Sequence, residues 1–298
     1  MYIGRYAPSP TGPLHMGSLV AAVASYLDAR AHEGHGLLRI EDLDAQREVP
    51  GAAQGIIDTL QALGFRHDGA IEYQSRRHAQ YQQALDRLVA MGRVYPCGCS
   101  RREIADSISR AGRQRDRELI YPGTCRGGLP DGKVARALRV RVDADVVIDW
   151  TDRSGRRFSE RLVDEVGDFV LWRADGQWAY QLAVVVDDAA QGVTDIVRGE
   201  DLIGSTARQI FLQQLLGLPT PRYLHVPVVR TASGEKLSKQ TGAAAVDAND
   251  AIGELTRALA HLGLAARPAG TLAGFWAQAI RAWSDPGVEE IYTRAPQT

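Results

Sequence analysis

The stretch RYAPSPTGPLHMGS, residues 5–18, is a stiff turn between a predicted strand at 2–7 and a predicted helix. Its prolines restrict the backbone, and apolar residues recur at helical spacing from Leu14 onwards. The unpaired N–H groups and the dipole at a helix N-terminus attract anions. We therefore expect a phosphate-binding turn in which Gly17 permits close approach and His15 donates a hydrogen bond. A proline-rich surface loop is the alternative that this stretch alone leaves open.

The chain alternates strand and helix patterns on either side of a different central block. The segment GLLRIEDLD, 36–44, indicates a buried strand that ends in acidic residues, and helices are expected at about 51–63 and 77–91. Residues 137–150 instead alternate apolar and polar side chains, and WRADGQW, 172–178, carries the Asp-Gly signal of a hairpin. These patterns predict a Rossmann-type parallel sheet that is interrupted by a partly antiparallel insertion.

The α/β pattern returns after the insertion, in the segment DIVRGEDLIGSTARQIFLQQLLG, 195–217. Thr206 and Gln209 have the spacing of a capping box, and Gly217 stands where a helix would end. We expect the capping box to start this helix and the glycine to end it. YLHVPVV, 223–229, is a further apolar strand.

Charge is distributed unevenly along the chain, although the formal net charge is only −1. Residues 93–161 carry 16 Lys and Arg against 10 Asp and Glu. A basic segment of this kind indicates contact with a nucleic-acid backbone, or else an arginine-rich solvated face. No apolar run reaches the roughly 18 residues of a membrane span, and the N-terminus does not resemble a signal peptide. We expect a cytoplasmic protein without membrane contact.

Lysine is rare in this chain, with three lysines against 32 arginines. Two of them, Lys236 and Lys239, lie within the pentapeptide KLSKQ, which follows a glycine-containing loop. A lysine ammonium is a compact charge on a flexible stem, which suits phosphates that separate during a reaction. The pentapeptide therefore indicates a second phosphate-binding element, although a solvated charged face could use the same residues.

Together these motifs resemble the class I aminoacyl-tRNA synthetases over roughly residues 3–240. PSPTGPLHMGS is similar to their HIGH motif and KLSKQ to their KMSKS motif, and RYAPSPTG, RIEDLD and VRGEDLIGSTARQ are similar to the glutamyl-tRNA synthetases in particular. Two positions differ in each signature, but the first histidine, the glycine and both lysines are kept. The resemblance implies a synthetase whose substrate is ATP with Mg²⁺. The implied catalytic residues are His15, Gly17, Lys236 and Lys239, of which His15, Gly17 and Lys239 would bind ATP.

The resemblance also implies a pocket for L-glutamate, which carries two carboxylates and one ammonium group. Arg5 and Arg198 would clamp the carboxylates, and Glu41 would accept the ammonium group. A strand-end acid that pairs with Arg39 is the alternative for Glu41. The implied glutamate-binding residues are Arg5, Tyr6, Ala7, Pro8, Ser9, Glu41, Tyr180 and Arg198.

All three cysteines of the chain, Cys97, Cys99 and Cys125, lie within 29 residues of one another. Their odd number in a protein expected to be cytoplasmic predicts reduced thiols. The resemblance implies one structural zinc on these cysteines, with Tyr121 as the fourth ligand, as in shortened relatives of the glutamyl-tRNA synthetases. Water in place of Tyr121, and three thiols without a metal, are the alternatives.

The fold implied by the resemblance is α/β, a class I synthetase parallel sheet with a zinc-bearing α+β insertion and a short helical tail. The expected segments are a first catalytic half at 1–92, the insertion at 93–185, a second catalytic half at 186–240 and the tail at 241–298. The 58 residues of this tail are fewer than the roughly 100–150 of a typical domain. We therefore expect the amino-acid activation residues without a domain that reads an anticodon.

This combination, with the C-x-C and Y-x3-C pattern, is similar to the glutamyl-Q tRNA(Asp) synthetase family. That family loads glutamate onto the queuosine base in the anticodon of tRNA(Asp). The implied partners are L-glutamate, ATP and queuosine-containing tRNA(Asp), and a monomer is expected. The alternatives are a truncated synthetase that charges the 3′ end of tRNA(Glu) and a non-catalytic RNA-binding paralogue.

Overall fold

The computed structural model of this chain describes residues 1–110, 120–231, 234–237, 243–265 and 270–284. No helix within these ranges is long and apolar enough to cross a membrane.

The first part of the chain alternates strands and helices, as the sequence predicts. Its elements are β1 (Ile3–Tyr6), α1 (Met16–Ala31), β2 (His35–Ile40), α2 (Ala52–Ala62), β3 (Glu72–Tyr73) and α3 (His78–Ala90). The three strands form a parallel sheet in the order β1, β2, β3. The strand expected at 36–44 ends at Ile40, so its acidic residues lie in the loop that follows.

The middle block is antiparallel. Its elements are β4 (Val94–Cys97), α4 (Arg101–Arg110), β5 (Ala137–Val140), β6 (Val147–Thr151), β7 (Arg157–Arg161), α5 (Leu162–Glu165) and β8 (Val170–Trp172). β4, β5 and β8 form one antiparallel sheet, and β6 and β7 form a two-stranded hairpin. Trp172 also pairs with Trp178 across the expected Asp-Gly turn.

The last part of the chain completes the parallel layer. Its elements are α6 (Tyr180–Ala190), β9 (Asp195–Gly199), α7 (Ile203–Leu216), β10 (Arg222–Val226), α8 (Ala251–His261) and α9 (Leu272–Ser284). β9 and β10 pair in parallel. The backbone N–H of Thr194 donates to the Ile3 carbonyl oxygen at 2.9 Å, which places β9 beside β1.

Helix α1 lies at the centre of one hydrophobic core. Its Leu19, Val23 and Leu27 are fully buried, because α1 packs against β1 and β9 and also against α8 and α9. Phe275 and Trp283 of α9 belong to the same core. The predicted C-terminal helices are therefore part of the packing of the parallel sheet.

The structure bears on two expectations about α6 and α7. The boundary expected at residue 185 falls inside α6, Tyr180–Ala190, and this helix crosses it without a break. The capping box is wrong, because α7 begins at Ile203 and Thr206 already lies inside it, fully buried. Gly217 ends α7 with a φ of 63°, in the left-handed conformation expected of a terminal glycine.

Candidate active site

A cavity of about 390 Å³ opens at the carboxyl ends of β1 and β9. This is the edge of a parallel sheet at which ligands bind in open α/β folds. The cavity is lined by every residue expected to bind glutamate, together with His15, Gly17 and Lys236. Lys239 lies outside the described residues. The structure therefore brings together the candidate residues that it describes.

The turn before α1 forms one wall of this cavity. His15 is the N-cap of the helix, and its Nδ1 accepts the backbone N–H of Ser18 at 3.4 Å. Ser18 Oγ also lies 3.0 Å from His15 Nε2. A Cβ atom at Gly17 would lie only 3.3 Å from the carbonyl oxygen of Leu237. The two signature motifs thus meet at Gly17, where a side chain would crowd the backbone of the second motif.

The wall around Arg5 contains paired charges. Arg5 Nε lies 3.0 Å from Asp188 Oδ1, and the buried Arg39 reaches the same oxygen at 2.8 Å. Burial opposes the ionisation of Asp188, but Arg39 and Arg5 hold its pKa below the usual range. Asp188 therefore neutralises and orients Arg5 from behind.

Glu41 stands between this network and the cavity. Arg39 donates to Glu41 Oε1 at 3.3 Å, so the pair considered from the sequence exists, although Arg39 lies closer to Asp188. Burial raises the pKa of the Glu41 carboxyl above its usual range despite the neighbouring arginines. The backbone N–H of Glu41 donates to the Pro8 carbonyl oxygen at 3.0 Å and ties the end of β2 to the N-terminal turn.

The wall around Arg198 has a different composition. Its guanidinium group is buried and donates to His225 Nε2 at 3.1 Å, Gln209 Oε1 at 2.8 Å, Thr206 Oγ1 at 2.7 Å and the Leu202 carbonyl oxygen at 3.3 Å. All four acceptors are uncharged when His225 is neutral. No carboxylate of the described residues lies within ion-pair distance of Arg198. The cavity therefore has a buried cation whose charge the described protein groups leave uncompensated.

The same hydrogen bonds limit what Arg198 can offer a ligand. Four of its five N–H groups have partners, so one donor remains for a carboxylate within the described structure. Arg5 uses only its Nε toward Asp188 in the described contacts. Its two terminal nitrogens can therefore form the bidentate clamp expected from the sequence, whereas Arg198 supplies one hydrogen bond and its charge.

Several residues of this site have no signature in the sequence. Asp188 and Arg39 hold Arg5, and His225 and Gln209 hold Arg198. The only local signal is the pair of acids in VVVDDAA, 184–190, within an otherwise apolar helical stretch. Buried acids require partners, but the pattern does not say which residues those are.

The cysteines form a second polar centre in the insertion. The sulfur atoms of Cys97, Cys99 and Cys125 lie within 4.8 Å of one another, and all three thiols are free. The Tyr121 hydroxyl lies 3.4 Å from Cys97 Sγ and 3.6 Å from Cys99 Sγ. Zn–S and Zn–O bonds of about 2.3 and 2.0 Å require tetrahedral edges of about 3.5–3.8 Å. The two Tyr121 distances and the 3.6 Å between Cys99 Sγ and Cys125 Sγ match such edges, and the three close cysteines could hold one zinc ion.

The surroundings of Tyr121 bear on its role as a ligand. Burial raises the pKa of its phenol above the usual range, so zinc binding would have to release this proton. The backbone N–H of Cys125 donates to its hydroxyl oxygen at 2.8 Å, and the Arg139 guanidinium lies 3.9 Å from the ring centroid. Both contacts stabilise electron density on the phenol oxygen.

Comparison with known proteins identifies the class. The family described as "tRNA synthetases class I (E and Q), catalytic domain" matches residues 3–266. The chain belongs to this family and is a ligase with the predicted class I synthetase fold.

Two curated relatives match this chain over nearly their whole length. The chain is 62% identical to a glutamyl-Q tRNA(Asp) synthetase of Burkholderia cenocepacia (strain HI2424) over 288 residues, which are 95% of this chain and 96% of the relative. It is 57% identical to the glutamyl-Q tRNA(Asp) synthetase of Ralstonia nicotianae, over 95% of this chain and 91% of the relative.

A solved structure of a longer protein has the same fold as this chain. The glutamate-tRNA synthetase of Elizabethkingia anophelis superimposes with a TM-score of 0.70 at 28% identity. The match covers 81% of this chain but only 53% of that protein.

Proposed function

We propose that this protein activates L-glutamate with ATP and transfers it to the queuosine base in the anticodon of tRNA(Asp). The names of the full-length relatives support this assignment. The observation that carries it is the buried Arg198, which faces the cavity without a carboxylate partner among the described residues. A buried cation of this kind favours an anionic ligand, because isolated charges are costly to bury.

The charges around the cavity match L-glutamate. Arg5 would clamp one carboxylate, Arg198 would bind the other, and Glu41 would accept the ammonium group. Arg5 and Arg39 are balanced by Asp188 and Glu41, whereas Arg198 is not balanced by a described carboxylate. Glutamate, with two carboxylates and one ammonium group, carries the single negative charge that complements this arrangement.

The nucleotide would bind beside this pocket, at the N-terminus of α1. The glutamate α-carboxylate attacks the α-phosphate of ATP, pyrophosphate leaves, and glutamyl-adenylate forms. His15 and the backbone at Gly17 would hold the phosphates, and Lys236 and Lys239 would stabilise the departing charge. Such a reaction depends mainly on positioning and on preorganised charge.

The insertion would contribute structure rather than chemistry. Cys97, Cys99, Tyr121 and Cys125 would hold one structural zinc ion, which crosslinks the segments that supply them. Arginine side chains of the same insertion would contact the phosphates of an RNA loop, and unstacked loop bases would be recognised individually. A hydroxyl group of the queuosine cyclopentenediol then attacks the carbonyl carbon of the adenylate, an ester forms and AMP leaves.

The first experiment tests activation. Purified protein should exchange labelled pyrophosphate into ATP with glutamate and without any tRNA, because the described pocket residues converge in the protein alone. Exchange that requires tRNA would contradict tRNA-independent activation. Absence of exchange under both conditions would favour the non-catalytic RNA-binding paralogue.

The second experiment tests the acceptor. Labelled glutamate should enter tRNA(Asp) from cells that make queuosine and should not enter tRNA(Asp) from cells that lack it. Periodate cleaves unprotected vicinal diols, so treatment of the tRNA should block charging. Periodate also destroys the 3′-terminal diol. In a parallel sample that is not oxidised, the 3′-terminal nucleotide is removed instead, and this tRNA should still be charged. Charging of queuosine-free tRNA(Asp) or of tRNA(Glu) would favour the truncated synthetase.

A further inference from the structure

His225 of β10 lies behind the glutamate pocket and joins it to the insertion. Its Nδ1 is 2.7 Å from Asp152 Oδ2, and its backbone N–H donates to the same oxygen at 3.0 Å. On the other side of the ring, the Arg198 Nε–H donates to Nε2 at 3.1 Å. The imidazole and the Asp152 carboxylate are both fully buried.

The ring must be neutral and must carry its proton on Nδ1 for these contacts to form. The Asp152 carboxylate accepts a hydrogen bond only from a protonated Nδ1, and Nε2 accepts one from Arg198 only when it is unprotonated. Burial lowers the pKa of His225 to about 4, with Arg198 adding to the effect, so the ring is neutral at physiological pH. Asp152 thereby selects the tautomer that Arg198 requires.

Asp152 belongs to the turn between β6 and β7, and this turn is docked firmly onto the catalytic sheet. The backbone N–H of Arg153 donates to the Tyr223 carbonyl oxygen at 2.8 Å. The Arg153 guanidinium forms two hydrogen bonds to the buried Asp28 of α1, at 2.6 and 3.0 Å. The turn of the insertion is thus fixed directly behind the pocket.

We propose that His225 is a positioning residue that orients Arg198 toward the substrate carboxylate, and that Asp152 of the insertion holds it in the required tautomer. This inference rests on the proposed function, because the ligand of Arg198 is taken to be glutamate. Arg198 is buried among neutral acceptors, and three of its four hydrogen bonds hold the terminal nitrogens. The fourth, from Nε–H to His225, holds the guanidinium from its other side, so its loss lets the group shift within the pocket. His225 therefore acts on the ligand only through Arg198.

Two amide substitutions separate the contact of the ring with Asp152 from its contact with Arg198. In His225→Gln an amide oxygen can occupy the position of Nε2 and accept from Arg198, but the contact with Asp152 is lost. In His225→Asn an amide nitrogen can occupy the position of Nδ1 and donate to Asp152, but Arg198 loses its acceptor. The readout is glutamate-dependent pyrophosphate exchange with saturating ATP.

We expect His225→Gln to raise the KM for glutamate no more than about threefold and His225→Asn to raise it at least tenfold, with the KM for ATP unchanged in both. A merely structural histidine would give equal glutamate KM values and would lower only the active fraction. The inference is overturned if the two variants have equal glutamate KM values, or if His225→Gln is the weaker binder. Trp276→Phe, which removes a buried hydrogen bond to the Leu63 carbonyl oxygen in the α1 core, is the control for lost stability and should leave both KM values unchanged.

A measurement on the unmodified protein covers the case in which the variants do not fold. Nitrogen-15 NMR of histidine-labelled protein should show a non-titrating ring with a protonated Nδ1 whose Nε2 signal shifts when glutamate is added. A non-titrating ring protonated on Nε2 would overturn the inference, since that nitrogen could not accept from Arg198. If wild-type protein shows no glutamate-dependent exchange and no shift on adding glutamate, the proposed function fails instead.

Discussion

The two arginine walls of the cavity differ in how the protein treats a buried positive charge. Arg5 lies against Asp188, which Arg39 also contacts, so its charge is compensated before any ligand binds. Arg198 is held by His225, Gln209 and other uncharged acceptors. Both guanidinium groups are held by buried partners, but only the second wall leaves a positive charge that no described carboxylate balances. The difference distinguishes an arginine whose charge the protein balances from one whose charge is available to an anionic ligand.

The strongest test of this difference replaces each arginine with methionine, which fills a similar volume. Arg198→Met should lower kcat/KM for glutamate in exchange by about 1,000-fold, equivalent to about 4 kcal/mol, because a buried carboxylate loses its cation. Its free energy of unfolding should hardly change, because an uncompensated buried cation contributes little to stability. Arg5→Met should lose activity and also about 3 kcal/mol of stability, because Asp188 keeps only one of two partners. Equal destabilisation by both variants in urea unfolding would contradict the comparison.

The sequence predicts the cavity better than it predicts what holds the cavity together. Arg5, Glu41 and Arg198 stand at the ends of strands, where parallel-sheet topology gathers side chains, so a pattern and a resemblance suffice to find them. The partners Asp188 and His225 lie 183 and 27 residues away from the arginines they hold. Such pairings are decided by packing across the sheet, which no local spacing records.

Helix α7 also shows where local sequence patterns fail to predict the role of a residue. Thr206 has capping-box spacing to Gln209, yet both side chains serve Arg198 instead. Gly217 was predictable because its left-handed φ is a local property of the chain. Local rules succeed where the constraint is local and fail where a buried charge recruits polar groups.

The cysteine centre extends the comparison to a site for a cation. Here sulfur and oxygen atoms, which are ligands for a metal ion, lie together in place of arginines. Cys125→Ser should lower the zinc content from one ion per chain to nearly none and should reduce the free energy of unfolding by about 3 kcal/mol. Metal analysis of protein purified without chelator gives the first quantity, and urea unfolding gives the second. A chelator should lower the Tm of the wild type and leave that of the variant unchanged. A metal-free wild-type preparation of full stability would favour the three-thiol alternative.

Acid should lower the free energy of unfolding by protonating His225, the partner of Arg198 Nε. The pKa of this ring is lowered by burial to about 4, against about 6.5 in an unfolded chain. The unfolded chain therefore binds more protons below pH 6.5, and the stability that is fully present above that pH is lost as the pH falls toward 4. Between pH 7 and pH 5 the loss from this one group should be about 2 kcal/mol. Urea unfolding at both values should show this loss in the wild type and a correspondingly smaller loss in His225→Gln, while an identical loss in both proteins would assign it to other groups.

The lysines of KLSKQ should give the smallest of these effects, because water reaches Lys236 at the cavity mouth and screens its charge. Lys236 is half-exposed and lies 2.6 Å from Asp201 Oδ2, and the second motif lysine, Lys239, follows three residues later. Lys239→Ala should slow glutamate-dependent exchange by about tenfold or more, equivalent to about 1.4 kcal/mol or more in the barrier, with an unchanged KM for glutamate. Lys133→Ala is the matched control, since Lys133 pairs with the exposed Glu103 in the insertion. This variant should change the rate less than twofold.

A raised KM for glutamate in Lys239→Ala would instead place this lysine with the amino acid. Equal rates in the two variants would show that KLSKQ is a solvated face, and Arg198 would then be the more informative cation of this site.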